Sequence, residues 1–151
     1  MRIALALLLF ISLPLQAEEI RLSDDLQVYP LTEHTWVHRS WEVIQGQRYA
    51  SNGLIIIEDN TLTLIDTAWG DAPTALLLDW MEQRFGKAPD LAILTHSHDD
   101  RMGGASTLAA RGIPAWAHPA TLDIARNDPG TFYDPDIPLP RTIEAFTEQS
   151  R

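Results

Sequence analysis

Apolar and polar positions alternate locally between residues 26 and 40. Residues 27–31 and 35–39 mix β-branched and aromatic side chains with polar ones and predict two strands. Residues 41–50 set Trp41, Val43, Ile44 and Tyr49 around Gly46, which predicts a hairpin with a mobile tip. Ser51-Asn52-Gly53 reads as a turn, residues 54–57 as a buried strand, Asp59-Asn60 as a turn and residues 61–65 as the returning strand. The period then changes. Leu77, Trp80, Met81 and Phe85 recur at helical spacing over residues 71–85. Asp71 reads as the N-cap, Pro73 suits the first turn and Gly86 ends the helix. Residues 91–95 predict a buried strand, and residues 105–111 a short helix opened by Gly103-Gly104 and closed by Gly112. Residues 113–117 predict a strand whose Pro114 places it at an edge or marks its start. Residues 120–126 predict a helix and residues 127–140 a loop. Residues 141–151 are polar and signal no element.

Alternation of strands and helices implies an α/β sandwich. The first residues do not belong to it. Arg2 precedes an apolar run over residues 3–15, and Ala17 offers a small residue at a cleavage point before Glu18. Residues 1–17 therefore read as a secretory signal peptide, and residues 18–151 as one domain of a periplasmic protein. The run is too short to span a membrane comfortably. The net charge of −10 repels nucleic acid and anionic lipid, so neither is an expected partner. No stable membrane association is expected, and a monomer is.

The chemistry concentrates in Thr95-His96-Ser97-His98-Asp99-Asp100. In an extended segment, residues two apart point to one side, so His96, His98 and Asp100 would converge. Imidazole nitrogen and carboxylate oxygen are both zinc ligands. A cluster at the C-terminal end of a buried strand lies where α/β proteins place their sites. His34 and His38 are four apart on strand-like sequence and read as surface or packing residues, and His118 as structural. Asp66, closing a strand, either caps the next loop or supports a site.

Thr-His-x-His-x-Asp after an apolar strand resembles the metallo-β-lactamase superfamily of zinc hydrolases. Arg101-Met102-Gly103-Gly104 resembles its B1 subclass of true metallo-β-lactamases. Ligation of a second metal by a His at position 101, as in the glyoxalase II type, is absent here. Ser51-Asn52-Gly53-Leu54 and Leu64-Ile65-Asp66-Thr67-Ala68-Trp69-Gly70 extend the resemblance, which runs from about residue 26 to residue 126. It implies the αβ/βα four-layer sandwich, here only about its first half, and two Zn2+ ions per complete domain. It implies that His96 and His98 hold one zinc and that Asp100, the candidate catalytic carboxylate, holds the other. Asp66 and Arg101 would support these ligands from behind. Trp41, Val43, Ile44 and Tyr49 would form a substrate loop that folds over a small-molecule substrate, a β-lactam.

The family's third His, its Cys and its last His have no counterpart here: the chain has no cysteine, and no His follows His118. The expected function is β-lactam ring opening by a partial domain that is weakly active or inactive alone. Two other readings stay open: another hydrolase of the superfamily, acting on thioesters, lactones or phosphodiesters, and a non-catalytic zinc-binding fragment.

Overall fold

The computed structural model describes residues 19–127 and 143–145. The leader expected over residues 1–17 and most of the loop expected after residue 127 lie outside them. The strands are β1 (Ile20–Ser23), β2 (Leu26–Pro30), β3 (Thr35–Ile44), β4 (Gln47–Glu58), β5 (Thr61–Ile65), β6 (Leu91–Leu94), β7 (Ala115–Ala117) and β8 (Ile143–Ala145). The helices are α1 (Asp71–Phe85), α2 (Asp99–Met102), α3 (Ala105–Ala110) and α4 (Pro119–Asn127). All eight strands form one sheet in sequence order. β1 to β5 run as an antiparallel meander. β5 to β8 are parallel, so each pair needs a crossover, and the helices supply it.

Side-chain alternation gives the sheet two unlike faces. Ile55, Leu64, Ala92 and Ala115 line up across neighbouring strands and are fully buried. Leu77, Leu78 and Met81 of α1, Leu108 of α3 and Leu122 of α4 join them in one core. The opposite face carries Leu54, Ile65, Ile93 and Trp116 in register, and each remains partly exposed. The helices therefore cover one face of this mixed sheet. Trp36, Trp80 and Phe85 cluster beside the core with ring centroids 5.3–6.1 Å apart, Phe85 meeting both indoles edge-on.

Several sequence expectations change. Ser51-Asn52-Gly53 is no turn: it lies inside β4 and pairs with Ser40, Arg39 and His38 of β3. Gly53 is small because the His38 ring lies against its backbone, not because the chain reverses there. The helix over residues 71–85 is as expected, but Gly70 is its N-cap. The Asp71 carboxylate instead accepts bonds from Ser106 and Thr107, tying α1 to α3. Pro114 precedes β7, which is an interior strand, so the proline marks a start and not an edge. The helix expected over residues 120–126 reaches from Pro119 to Asn127. β1 and β8 are strands that the residue pattern did not signal.

A candidate metal centre at the end of β6

β6 delivers its C-terminal end between β5 and β7. The chain then leaves the sheet through Thr95 and turns into α2 at Asp99. The alternation expected to bring His96, His98 and Asp100 together stops there, because Asp100 is the second residue of a helix. His96 and His98 do converge. Nε2 of His96 lies 2.7 Å from Nδ1 of His98, and the two rings stand edge to face. Two nitrogens bound to one tetrahedral zinc at about 2.0–2.1 Å would stand about 3.3 Å apart. A small opening of this pair reaches that spacing.

The Asp100 carboxylate has other partners. Ser51 Oγ donates to Asp100 Oδ2 at 3.1 Å and to the Asp100 carbonyl at 3.0 Å. Arg101 Nε donates to Asp100 Oδ2 at 3.1 Å. Among the described residues, no three His, Cys, Asp or Glu side chains gather closely enough to hold a metal ion. The histidine pair thus fits one edge of a zinc site in donor chemistry and direction.

Beneath the pair, buried Asp66 organises the stretch. Its Oδ1 accepts the Thr95 N–H at 2.7 Å, and both its oxygens accept the Thr95 hydroxyl, at 2.9 and 2.8 Å. Its φ is 62°, a left-handed conformation that Asp tolerates better than most residues. Burial pushes its carboxyl up, against the pull of the bonds from Thr95 and the charge of Arg101. Arg101 Nη1 lies 3.3 Å from Asp66 Oδ2 and also donates to the Asn52 carbonyl. One guanidinium therefore spans β4, Asp66 and Asp100. Thr67 completes the fastening, accepting from Gly104 N–H and donating from its own N–H and hydroxyl to the Arg101 carbonyl.

The neighbouring Asp99 is held by Trp69. Its Oδ2 accepts the Trp69 indole N–H at 2.9 Å. Burial pushes its carboxyl up, and the charges of Glu42, Asp100 and Asp71 push the same way. Of the remaining histidines, His34 is exposed. His38 is buried and bonds the Ile65 carbonyl at 3.2 Å. His118 Nδ1 accepts the Ala120 N–H at the start of α4. His34 thus lies at the surface and His38 in the core. Trp41, Val43, Ile44 and Tyr49 lie on the β3–β4 hairpin, and the last three are 57%, 45% and 43% exposed. Sequence reasoning missed Ser51, whose turn-like neighbours masked a buried hydroxyl aimed at Asp100. It also missed Thr95 as the anchor of the ligand stretch.

The family model for the metallo-beta-lactamase superfamily matches residues 46–148. The chain belongs to that superfamily. It is 34% identical over 103 residues to the metallo-beta-lactamase type 2 of Bacillus cereus, covering 68% of this chain and 40% of that protein. It is 29% identical over 110 residues to the metallo-beta-lactamase type 2 of Bacteroides fragilis, covering 72% and 44%. A metallo-beta-lactamase structure from Erythrobacter litoralis superposes with a TM-score of 0.72 at 30% identity, over 86% of this chain and 53% of that one. The mono-zinc form of FIM-1 from Pseudomonas aeruginosa gives 0.69 at 27% identity, over 85% and 55%. The chain thus spans less than half the length of these curated relatives, and its sheet with helices on one face is a partial metallo-β-lactamase fold.

Proposed function

We propose that the chain is the N-terminal part of an exported, zinc-dependent hydrolase that opens the β-lactam ring of antibiotics. The observation that carries this reading is the convergence of His96 Nε2 and His98 Nδ1 at the end of β6, in a chain whose relatives are named metallo-beta-lactamase type 2. His96 and His98 would hold one zinc and Asp100 a second. Bound there, zinc would supply a water of lowered pKa and Lewis acidity toward a lactam carbonyl. The chain's own residues do the positioning. Asp66 fixes Thr95 and with it the approach of the histidines. Ser51 and Arg101 orient the Asp100 carboxylate. Trp41, Val43, Ile44 and Tyr49 offer apolar contact to a small-molecule substrate from the hairpin, a place suited to closing over a site.

Residues 1–17 direct export to the periplasm and are removed before Glu18, and the acidic product acts as a monomer. Among the described residues, no helix is long and apolar enough to cross a membrane. N-terminal sequencing of the envelope fraction tests the export step, and an intact Met1 in soluble cytoplasmic product overturns it.

Catalytic zinc takes about three protein ligands and a water. This chain offers two imidazoles to one metal and a carboxylate to the other, so alone it binds zinc poorly and turns over lactams weakly or not at all. A downstream half supplying two His and one Cys creates activity. The assay is nitrocefin or carbapenem hydrolysis with added zinc and a chelator control. Robust chelator-sensitive turnover by the 151-residue chain overturns the reading of an incomplete site. Zinc titration follows the ligands: losing both His96 and His98 to Ala abolishes binding, and His34→Ala or His118→Ala leaves it intact. A second reading, a non-catalytic zinc-binding fragment, draws on the lack of a three-donor cluster among the described residues. It predicts zinc binding with no turnover even after the missing ligands are restored. Thioester, lactone and phosphodiester substrates belong in the same screen, and Arg101 in place of a His disfavours them.

A further inference from the structure

The β3–β4 hairpin is fastened at its base and free at its tip. Arg48, on β4, reaches back to the turn between β1 and β2. Its Nη2 donates to the Asp24 carbonyl at 2.6 Å and to Asp25 Oδ1 at 2.9 Å. The same guanidinium lies over the Trp41 indole of β3, 4.4 Å from the ring centre. Trp41 in turn donates its backbone N–H to the Asp25 carbonyl at 3.0 Å. Beyond this point the hydrogen bonds of residues 42–47 stay within the hairpin. Val43 pairs with Arg48, Ile44 pairs with Gln47, and Val43 N–H bonds the Glu42 carboxylate. Gln45 and Gly46, at φ 52° and 81°, close a two-residue turn.

We propose that Arg48 is a positioning residue: clasped between Asp25 and Trp41, it anchors the hairpin base and confines motion to the tip that bears Val43 and Ile44. The functional meaning of the clasp rests on the reading of this hairpin as the substrate-covering loop. The clasp itself does not depend on that reading. Its two halves respond differently to solvent. The Arg48 and Asp25 side chains are 47% and 58% exposed, so salt screens their attraction. The planar guanidinium on the indole is a short-range contact that salt weakens less, and Lys would not reproduce it. Ionic strength therefore tunes how firmly the hairpin base is held.

Hydrogen exchange on the 151-residue chain without zinc or substrate tests this, so a failure here is separate from a failure of the proposed lactam chemistry. Arg48→Gln and Asp25→Asn should each speed exchange across residues 42–49 by about two- to fivefold, the range of an exposed ion pair. Exchange in β5 and β6 should stay unchanged. Raising salt from about 0.01 M to about 1 M, which shortens the screening length from about 30 Å to about 3 Å, should speed the wild-type hairpin and leave Arg48→Gln largely unaffected. Arg21→Gln is the control: it removes the Arg21–Asp24 pair of the same turn and should leave the hairpin as it was. Three outcomes overturn the proposal: an unchanged hairpin in Arg48→Gln, an equal acceleration throughout the sheet, or an equal effect of Arg21→Gln.

Discussion

The Asp66 carboxylate accepts both the backbone N–H and the hydroxyl of Thr95, the residue immediately before His96. Asp66 follows β5 and Thr95 follows β6, so the contact joins two parallel strands where the candidate ligands leave the sheet. A buried carboxylate accepting a backbone N–H fixes peptide orientation as well as position. The approach of His96 and His98 is therefore set from below by a residue that carries no ligand itself.

Asp66→Ala should be the costly change at this position. It leaves the Thr95 N–H without its acceptor and places Ala at φ 62°. Together these should lower stability by about 2–4 kcal/mol. Asn tolerates that backbone and keeps one carbonyl oxygen, so Asp66→Asn should lose less than half as much. Urea denaturation of the two variants measures the difference, and equal losses would show that the Thr95 contact contributes little.

Gly53→Ala should destabilise strongly although alanine suits many strands. A Cβ at Gly53 would meet His38 Nε2 at 2.1 Å and the Ile65 carbonyl oxygen at 2.3 Å. The site sits mid-ladder opposite His38, so neither backbone can yield freely. Overpacking of this kind costs about 1–3 kcal/mol. Gly46→Ala is the useful contrast: nothing crowds its Cβ, and only the φ of 81° resists it, at about 1–2 kcal/mol. Thermal melts of the two variants separate steric crowding from backbone strain.

Gly53 also shows where sequence legibility ended. Segments with clear local signals gave themselves away, as in the helix over residues 71–85, bounded by Pro73 and Gly86, and the strands over residues 61–65 and 91–94. Ser51-Asn52-Gly53 has the composition of a turn, yet each residue has a tertiary use: Ser51 for Asp100, Asn52 for Arg39 and Arg101, Gly53 for the His38 ring. Such uses override local propensity and leave no local trace. His96 and His98, two residues apart, still meet although β6 ends at Leu94. Asp100 does not continue that alternation, because α2 begins at Asp99. β8 is three residues long and polar at its centre, too short for any pattern to register.

His38 should give the chain an acid-sensitive core. Burial lowers its pKa from 6.5 to about 4, with the charge of Arg101 pushing the same way and its bonds to the backbone of Ile65 and Asp66 opposing. A base with a depressed folded pKa takes up its proton more readily when unfolded. Its contribution is thus intact above pH 6.5, declines as pH falls from there and is fully lost below about pH 4. The full change is about 3 kcal/mol. Asp66 acts in the opposite sense: its raised pKa costs stability as pH climbs above 3.8. Denaturation of wild type and His38→Gln at several pH values isolates the histidine. The stability gap should shrink or reverse towards pH 4, and parallel curves would mean that His38 is not the titrating group.

Arg101 is the remaining test, because one side chain serves three acceptors. It contacts Asp66 and Asp100 at 3.3 and 3.1 Å, and it donates to the Asn52 carbonyl. Its own side chain is 31% exposed while that of Asp66 is 4% exposed. Water therefore relieves a lost guanidinium better than it relieves the carboxylate left behind. Arg101→Ala should cost about 1–3 kcal/mol, chiefly from that carboxylate. Arg101→Lys should rescue little, since a single ammonium cannot reach three acceptors from a forked plane. The decisive measurement is a double-mutant cycle with Asp66→Asn. If the guanidinium acts through Asp66, the two losses should fall short of additivity by about 1 kcal/mol. Strict additivity would place the stabilising contact at Asn52 or Asp100 instead.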